Sequence, residues 1–453
     1  MYNRKGSKMK KIIIIGFGSS GYAALMAVRK TDPGAVITVI DPKEHDLQHP
    51  CGLPYSIEGI VRAEDLVQDV HLERAGASRI RAAAVKIDPS RKCITAVQNN
   101  ETIEVEYDAV IISTGYTPLI PPVKNIRNLL NRGVYTLTDT KDLERITSTL
   151  EGCVSGAVIG AGAIGMETAC ALRRHLERVC VCEMKEQVFP GILDRDISKT
   201  VEEYLCTCGI ELRLGARVEE ITGDAAPFSI KAGDENLEAD IIILAAGFQA
   251  NTGVADESSI SCNENGIIVD TSMRTSMENV YAAGDCVSSW SVIDRNPCGV
   301  KLATSAYRQG TIAGINAAGG SAEYMGTAGT FVTRISELEV AGTGFNTETA
   351  TLRGFRPAAG KIKAGILPDY FPGGNEIQFK IISDSATGKI IGAQAAGAGG
   401  AAERINLVSM AIEFGIPLDD FRRTELAYCP AVSEVEDPIM KAVDFNLRRI
   451  RKK

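Results

Sequence analysis

The chain has 453 residues, 45% of them hydrophobic and 23% charged, with a formal net charge of −8. This length predicts two to three domains, and the acidic balance excludes a general nucleic-acid binder. The longest apolar runs fall far short of the ~20 residues that span a bilayer, so no membrane span is expected. Residues 1–10 are polar and basic and lack the apolar core of a signal peptide. Twelve cysteines in a chain of this size do not make a disulfide scaffold, and with no export signal they are expected as reduced thiols in the cytoplasm.

In chain order, the apolar run Lys11–Ile15 predicts a buried strand, followed by Gly16-Phe17-Gly18-Ser19-Ser20-Gly21 and a helix. Glycines at this spacing permit a tight strand-to-helix turn and bring backbone N–H groups to a pyrophosphate, where the helix N-terminus adds a favourable field. Val36–Ile40 reads as the next strand and ends in Asp41, an acid placed to accept ribose hydroxyls. Next comes the segment Gln48-His49-Pro50-Cys51-Gly52-Leu53-Pro54-Tyr55-Ser56, with a helix starting near Pro54. The unit closes on residues 110–118, which include Thr114 and Gly115.

The pattern then repeats. A strand over 157–159 leads into Gly160-Ala161-Gly162-Ala163-Ile164-Gly165 and a helix. A strand over 179–182 ends in Glu183, and the unit closes on residues 241–251, which include Gly247. Cys180 and Cys182 share one face of the predicted strand, where burial as small apolar residues is a better account than a metal site. Cys206 and Cys208 end an amphipathic helix before Gly209 and read as structural, so no metal site is expected.

Residues 279–286, Asn-Val-Tyr-Ala-Ala-Gly284-Asp285-Cys, give a short buried strand ending in an acid, and a helix rich in small residues follows over 302–318. From 323 the chain changes character, with strands over 329–334 and 377–382 and a helix over 401–414. One chain with two complete dinucleotide units can hold two dinucleotides and pass electrons between them.

This order of motifs resembles the FAD-dependent pyridine nucleotide–disulfide oxidoreductases over essentially the whole chain. The resemblance implies an α/β fold of two Rossmann-like dinucleotide-binding domains, one for FAD and one for NAD, plus a C-terminal α+β dimerisation domain. The FAD-binding domain is expected over 1–120 and 252–322, the NAD(P)H-binding domain over 121–251 and the dimerisation domain over 323–453. Gly16, Gly18, Ser19, Ser20, Gly21, Asp41, Thr114, Gly115, Gly284, Asp285 and Ala303 would bind FAD. Gly160, Gly162, Ile164, Gly165, Glu167, Glu183 and Gly247 would bind NAD(P)H, with Glu183 favouring NADH because its charge repels a 2′-phosphate. Arg173, Arg174 and Lys185 nearby keep NADPH open.

Relatives that reduce disulfides through a dithiol carry two cysteines separated by four residues and a His-Glu pair near the C-terminus. Here the residue five past Cys51 is Ser56, and no histidine follows His175. Both absences exclude the dithiol route and leave the single-cysteine branch of coenzyme A disulfide, persulfide or polysulfide reductases and NADH oxidases or peroxidases. Oxidases and peroxidases place a histidine where Ser19 stands, which favours sulfur over oxygen as the acceptor.

The resemblance makes Cys51 the redox-active residue. Only a thiolate attacks sulfur efficiently, so its pKa is expected to be depressed. Tyr428 matches a tyrosine that reaches the partner subunit's active cysteine in a homodimer, and Tyr370 matches a second. Arg29 and Lys30 match the place where relatives hold coenzyme A phosphates, with coenzyme A as substrate or as a mixed disulfide on Cys51. Ala431, Val432, Glu436 and Pro50 depart from the reductase pattern, which keeps polysulfide open as the acceptor. Two readings of other classes also stay open. One is a flavoprotein electron carrier to a protein partner with Cys51 as a bystander, and the other is a redox-sensing binder of FAD and NADH.

Overall fold

The computed structural model describes residues 9–452, so most of the basic leader read above lies outside the described residues. Two compact units divide the chain. Within the described residues the first comprises 9–49, 64–117 and 248–327, and the second comprises 50–63, 118–247 and 328–452. Cys51 and the short helix after it therefore belong with the second dinucleotide motif, a grouping that the linear blocks of the sequence did not suggest.

The first unit is built on a five-stranded parallel sheet in the order Val280–Ala282, Ala109–Ile112, Lys11–Ile15, Val36–Ile40, Ala77–Ile80. The inner strands read as continuous β-branched runs because both faces are covered. Ile12, Ile14, Val39, Val110, Ile111 and Ile112 are all 0% exposed. The first motif stands at the C-terminal end of the central strand and runs directly into the helix Ser19–Thr31.

A second helix, Ala303–Ala317, packs on Ser19–Thr31 at very close range. A Cβ on Gly310 would stand 2.1 Å from the Ser20 carbonyl oxygen, and one on Gly314 would stand 2.5 Å from that of Ala24. The small residues seen in the sequence thus let two backbones approach.

The second unit repeats the plan. Its parallel sheet runs Val134–Tyr135, Ile241–Leu244, Ser155–Ile159, Arg178–Glu183, Ile210–Leu214. Each parallel sheet is accompanied by a three-stranded antiparallel meander, Ala83–Asp88 to Glu101–Glu106 in the first unit and Val218–Thr222 to Glu235–Ala239 in the second. The second unit also holds a five-stranded antiparallel sheet over residues 331–397, covered by the helices Ala401–Glu413 and Pro438–Arg451.

A buried charge cluster ties that sheet to the nucleotide half of the unit. The Lys380 ammonium lies 2.8 Å from both Asp194 and Asp196, and the Gln394 amide exchanges two hydrogen bonds with Asp194. Lys380 and Asp194 side chains are each 8% exposed, and the pairing with further hydrogen bonds offsets the desolvation that such burial costs. Among the described residues no helix is long and apolar enough to cross a membrane.

Helix propensity alone favours alanine over glycine mid-helix by about 1 kcal/mol. At Gly310 the clash with the Ser20 carbonyl dominates, so Gly310→Ala is expected to lower stability by roughly 1–3 kcal/mol, the usual cost of overpacking. A urea titration of the holoenzyme checks the sign, and an unchanged or raised midpoint would contradict the packing account.

Candidate functional site

The two glycine loops are built alike, atom for atom where it matters. Gly16 and Gly160 have φ of +88° and +110°, and a Cβ on either would stand 2.3 Å from a carbonyl oxygen, of Ser113 and Ala245 respectively. Gly21 and Gly165 sit 2.4 and 2.1 Å from the carbonyls of Gly16 and Gly160 by the same measure. The middle glycines behave differently. A Cβ on Gly18 or Gly162 would meet nothing within 4 Å, so the space beside each is open to a ligand.

The helices that follow, Ser19–Thr31 and Ala163–Arg173, start without a side-chain cap and without an acid in the first turn. Their first N–H groups are therefore left for an anion. This is the cradle that a dinucleotide pyrophosphate requires, present twice.

Each loop is held by the acid at the end of the neighbouring strand. Asp41 accepts from the backbone N–H of Phe17 at 2.6 Å and of Lys43 at 2.8 Å. Glu183 accepts from those of Ala161 at 2.9 Å and Lys185 at 2.9 Å. The acids are 2% and 7% exposed, so backbone donors take the place of water, and each oxygen keeps a lone pair for a ribose hydroxyl. Lys43 and Arg79 lie 3.3 and 3.9 Å from Asp41. These flanking cations come from outside the glycine motif, and nothing in the local sequence marks Arg79.

The remaining first-unit residues gather nearby in the chain's topology. Thr114 donates to the Asn251 carbonyl at 2.7 Å, and Gly115, in the left-handed region, accepts from the Asn251 N–H at 3.0 Å. Gly284 donates its N–H to Gln309 at 2.9 Å. Burial pushes the Asp285 carboxyl above the usual range, and the Lys301 ammonium opposes that shift. Lys301 itself donates to the carbonyls of Asn265 and Val287. Ala303 is exposed at the first turn of a helix that has no side-chain cap.

Arg29 has a different occupation from the one expected. Its guanidinium donates to the carbonyls of Ala75, Pro33, Ala35 and Gly76 at 2.6–3.2 Å, locking the end of its helix to the following loops. Lys30 is exposed on the same last turn.

In the second unit, Cys51 is exposed in the tight turn Pro50–Gly52, directly before the five-residue helix Leu53–Ile57. All twelve cysteines lie within the described residues, and none of them is in a disulfide. Cys180 and Cys182 are neighbours on the strand that ends in Glu183, and Cys208 caps the helix Arg195–Thr207. Gly247 is exposed beyond the end of Ile241–Leu244, its carbonyl accepting from Leu119. Ile164 lies in the first turn of the helix Ala163–Arg173 and Glu167 in its second, with the Glu167 carboxyl accepting from the Thr333 hydroxyl and lying near the Tyr55 phenol. Tyr55 was visible in the cysteine motif, but its role was not, because Glu167 is 112 positions away in sequence.

Tyr370 and Tyr428, picked out separately in the sequence, are brought together. Their hydroxyls lie 3.1 Å apart on exposed side chains, and the hydrogen bond to Tyr370 pushes Tyr428 up to about 12. The irregular segment that carries Tyr428 is pinned at both ends. Arg422 pairs with Asp444, and Arg404 makes a two-pronged bridge to Asp437 at 2.9 and 2.6 Å.

The description "pyridine nucleotide-disulphide oxidoreductase" matches residues 10–310, and the dimerisation domain of that family matches 327–438. The chain is 32% identical to an NADH oxidase of Methanocaldococcus jannaschii, over 98% of this chain and 100% of that one. It is 31% identical to a CoA-dependent NAD(P)H sulfur oxidoreductase of Pyrococcus furiosus, over 95% and 98%. Its structure resembles that of a NAD-dependent persulfide reductase from A. fulgidus with a TM-score of 0.93 and 30% identity, covering 98% of this chain and 84% of that one. Two pyrophosphate cradles, each locked by its own carboxylate, accord with these matches, and the chain belongs to the pyridine nucleotide–disulphide oxidoreductase family as an NAD(P)H-dependent, FAD-binding oxidoreductase.

Proposed function

We propose that this oxidoreductase reduces a disulfide or persulfide of coenzyme A, or a polysulfide, through Cys51 in a homodimer. The observation that carries the reading is the exposed Cys51 with Ser56 five residues on, which leaves a single thiol in that motif. The CoA-dependent sulfur oxidoreductase of Pyrococcus furiosus and the persulfide reductase of A. fulgidus support the same acceptor class.

FAD, when bound, supplies the two-electron transfer from NAD(P)H to sulfur. The chain's own part begins with the Cys51 thiolate, which attacks one sulfur of the substrate disulfide and releases the other as a thiolate, leaving a mixed disulfide on Cys51. An electron pair and a proton then release the second thiol and restore the Cys51 thiolate. Overall, one NAD(P)H, one proton and one disulfide give NAD(P)+ and two thiols. The paired hydroxyls of Tyr370 and Tyr428, presented by the partner, steady the departing thiolate with a hydrogen bond. With Arg29 occupied by carbonyls, Lys30 is the cation of that pair assigned to a coenzyme A phosphate.

A second reading is favoured by one finding, the NADH oxidase of Methanocaldococcus jannaschii. There oxygen takes the place of the sulfur acceptor.

Anaerobic NADH oxidation with CoA disulfide or polysulfide is expected to proceed in the wild type and to fall by about three orders of magnitude or more in Cys51→Ser, as removal of a nucleophile does. Turnover retained by Cys51→Ser would exclude the thiol mechanism, and turnover with oxygen alone would select the oxidase reading. Tyr428→Phe is expected to lower kcat about tenfold to a hundredfold, the effect of one hydrogen bond to a charged group, with KM for NADH unchanged. Stopped-flow and steady-state assays separate these quantities.

Gly162→Val tests the nucleotide cradle. Its backbone φ of −79° admits any residue and its Cβ has open space, so the fold and the flavin content should be retained. NADH affinity should fall by more than tenfold because the branched side chain occupies the pyrophosphate's place, as fluorescence titration of the holoenzyme would show.

A further inference from the structure

The short helix that follows Cys51, Leu53–Ile57, packs on the helix Thr140–Leu150 and, more extensively, on Ala163–Arg173, the helix that begins at the Gly162 cradle. At its C-terminal end, Glu58 accepts from Arg174 at 2.7 and 2.5 Å. The His175 ring nitrogen lies 2.6 Å from the Ile57 carbonyl.

Nearer the cysteine, the Tyr55 phenol lies close enough to the Glu167 carboxyl and the Arg334 backbone N–H for each to shift its pKa, the carboxylate upward and the N–H downward. Thr333 donates to Glu167 Oε1. Glu167 therefore joins three segments, the cysteine helix, the nucleotide helix and the strand Phe331–Ile335.

The protonation states suit a link that holds rather than reacts. Burial raises the pKa of Glu167, and burial with the nearby Glu167 charge pushes Tyr55 up to about 12. The phenol keeps its proton at neutral pH. A dinucleotide settling on the 160–165 loop contacts the start of the same helix, one turn from Glu167. Two sites that share bonded elements in this way bias one another reciprocally.

We propose that the packing of the cysteine helix on Ala163–Arg173, where Tyr55 meets Glu167, couples occupancy of the nucleotide loop to the reactivity of Cys51, with both residues acting as positioning residues. The proposal rests on the reading of Cys51 as the reactive thiol and of the 160–165 loop as the NAD(P)H site. It goes beyond that reading in assigning the cysteine's readiness to the presence of nucleotide.

The test uses the oxidised holoenzyme and NAD+, which binds without delivering electrons. Iodoacetamide alkylation of Cys51 is followed by peptide mass spectrometry with and without NAD+. In the wild type, NAD+ is expected to change the alkylation rate by about fivefold or more, the lower range of coupling between linked sites. In Tyr55→Phe, which keeps the ring and removes the hydroxyl, the NAD+ affinity should stay within about twofold while the rate ratio falls towards one. Thr333→Val removes the donor that orients Glu167 without altering the cysteine helix, and should reduce the ratio by a second route if the first variant folds poorly.

A wild-type rate indifferent to NAD+ overturns the proposal. So does a ratio that survives in both variants, since that would mean simple shielding by the bound nucleotide. Alkylation reads the thiol directly. Cys51-independent turnover would therefore sink the mechanism proposed above, whereas lost coupling beside Cys51-dependent turnover would sink this inference alone.

Discussion

A carboxylate buried at the end of one strand and bonded to the backbone of the next glycine loop is the constraint on which both halves of this molecule depend. Asp41 and Glu183 each take one N–H from the residue after the first glycine and one from two residues beyond themselves. Charge-assisted hydrogen bonds of this kind contribute about 1.5–3 kcal/mol each, enough to offset the loss of hydration at a nearly buried acid. The consequence is geometric. The loop is fixed before any ligand arrives, with its middle glycine facing open space and its helix N–H groups uncapped. Preorganisation of this sort moves the entropic cost of ordering a loop from binding to folding.

The duplication extends beyond the loops. Four strands of each parallel sheet follow the same order, with the motif-bearing strand at the centre and a three-stranded meander inserted before the strand that abuts the glycine turn, while the outer fifth strand comes last in the chain in the first unit and first in the second. The two units then diverge in what they attach. The first adds the helix Ala303–Ala317 through backbone-close packing at Gly310 and Gly314. The second adds the cysteine helix and the antiparallel sheet, through side chains: Tyr55, Glu58, Glu167, Asp194 and Lys380. Backbone packing gives rigidity without polar groups to satisfy. Polar clamps cost desolvation but fix the positions of the segments they join.

Much of this was legible in the residues because it is local. The apolar strands Lys11–Ile15 and Ser155–Ile159, the glycine spacing after each and the acid closing the next strand all lie within about 30 positions, the length of one βαβ unit. That Ser56, and not a second cysteine, stands five residues past Cys51 needed only a count. What stayed hidden joins distant segments. The Glu167–Thr333 bond spans 166 positions and the Arg404–Asp437 bridge 33, and no periodicity announces either. The meanders over 83–106 and 218–239 escaped notice because short strands with mixed faces give weak patterns. Arg29 shows a different limit. A cation in the last turn of a helix suits a phosphate and a set of carbonyls equally well, and only the fold of residues 75–76 around it decides which it meets.

The acids available to this chain bear on the choice of acceptor. No histidine follows His175, and the hydroxyl pair assigned to the reacting sulfur holds its proton up to about 12 at Tyr428. Such a pair can donate a hydrogen bond at neutral pH but is a weak proton donor in the transition state, since efficient general acids have pKa values near the operating pH. A thiolate leaving group needs little more than that bond, because an ordinary thiol has a pKa of about 8.5. Hydroxide departing from a peroxide is the conjugate base of water, with a pKa of about 15.7, and it demands a proton as the bond breaks. On the proposed reading, then, a cysteine attended by tyrosines and lacking a histidine is matched to sulfur–sulfur cleavage, and the same absence at Ser19 that disfavours an oxidase follows from one requirement, the basicity of the group that leaves.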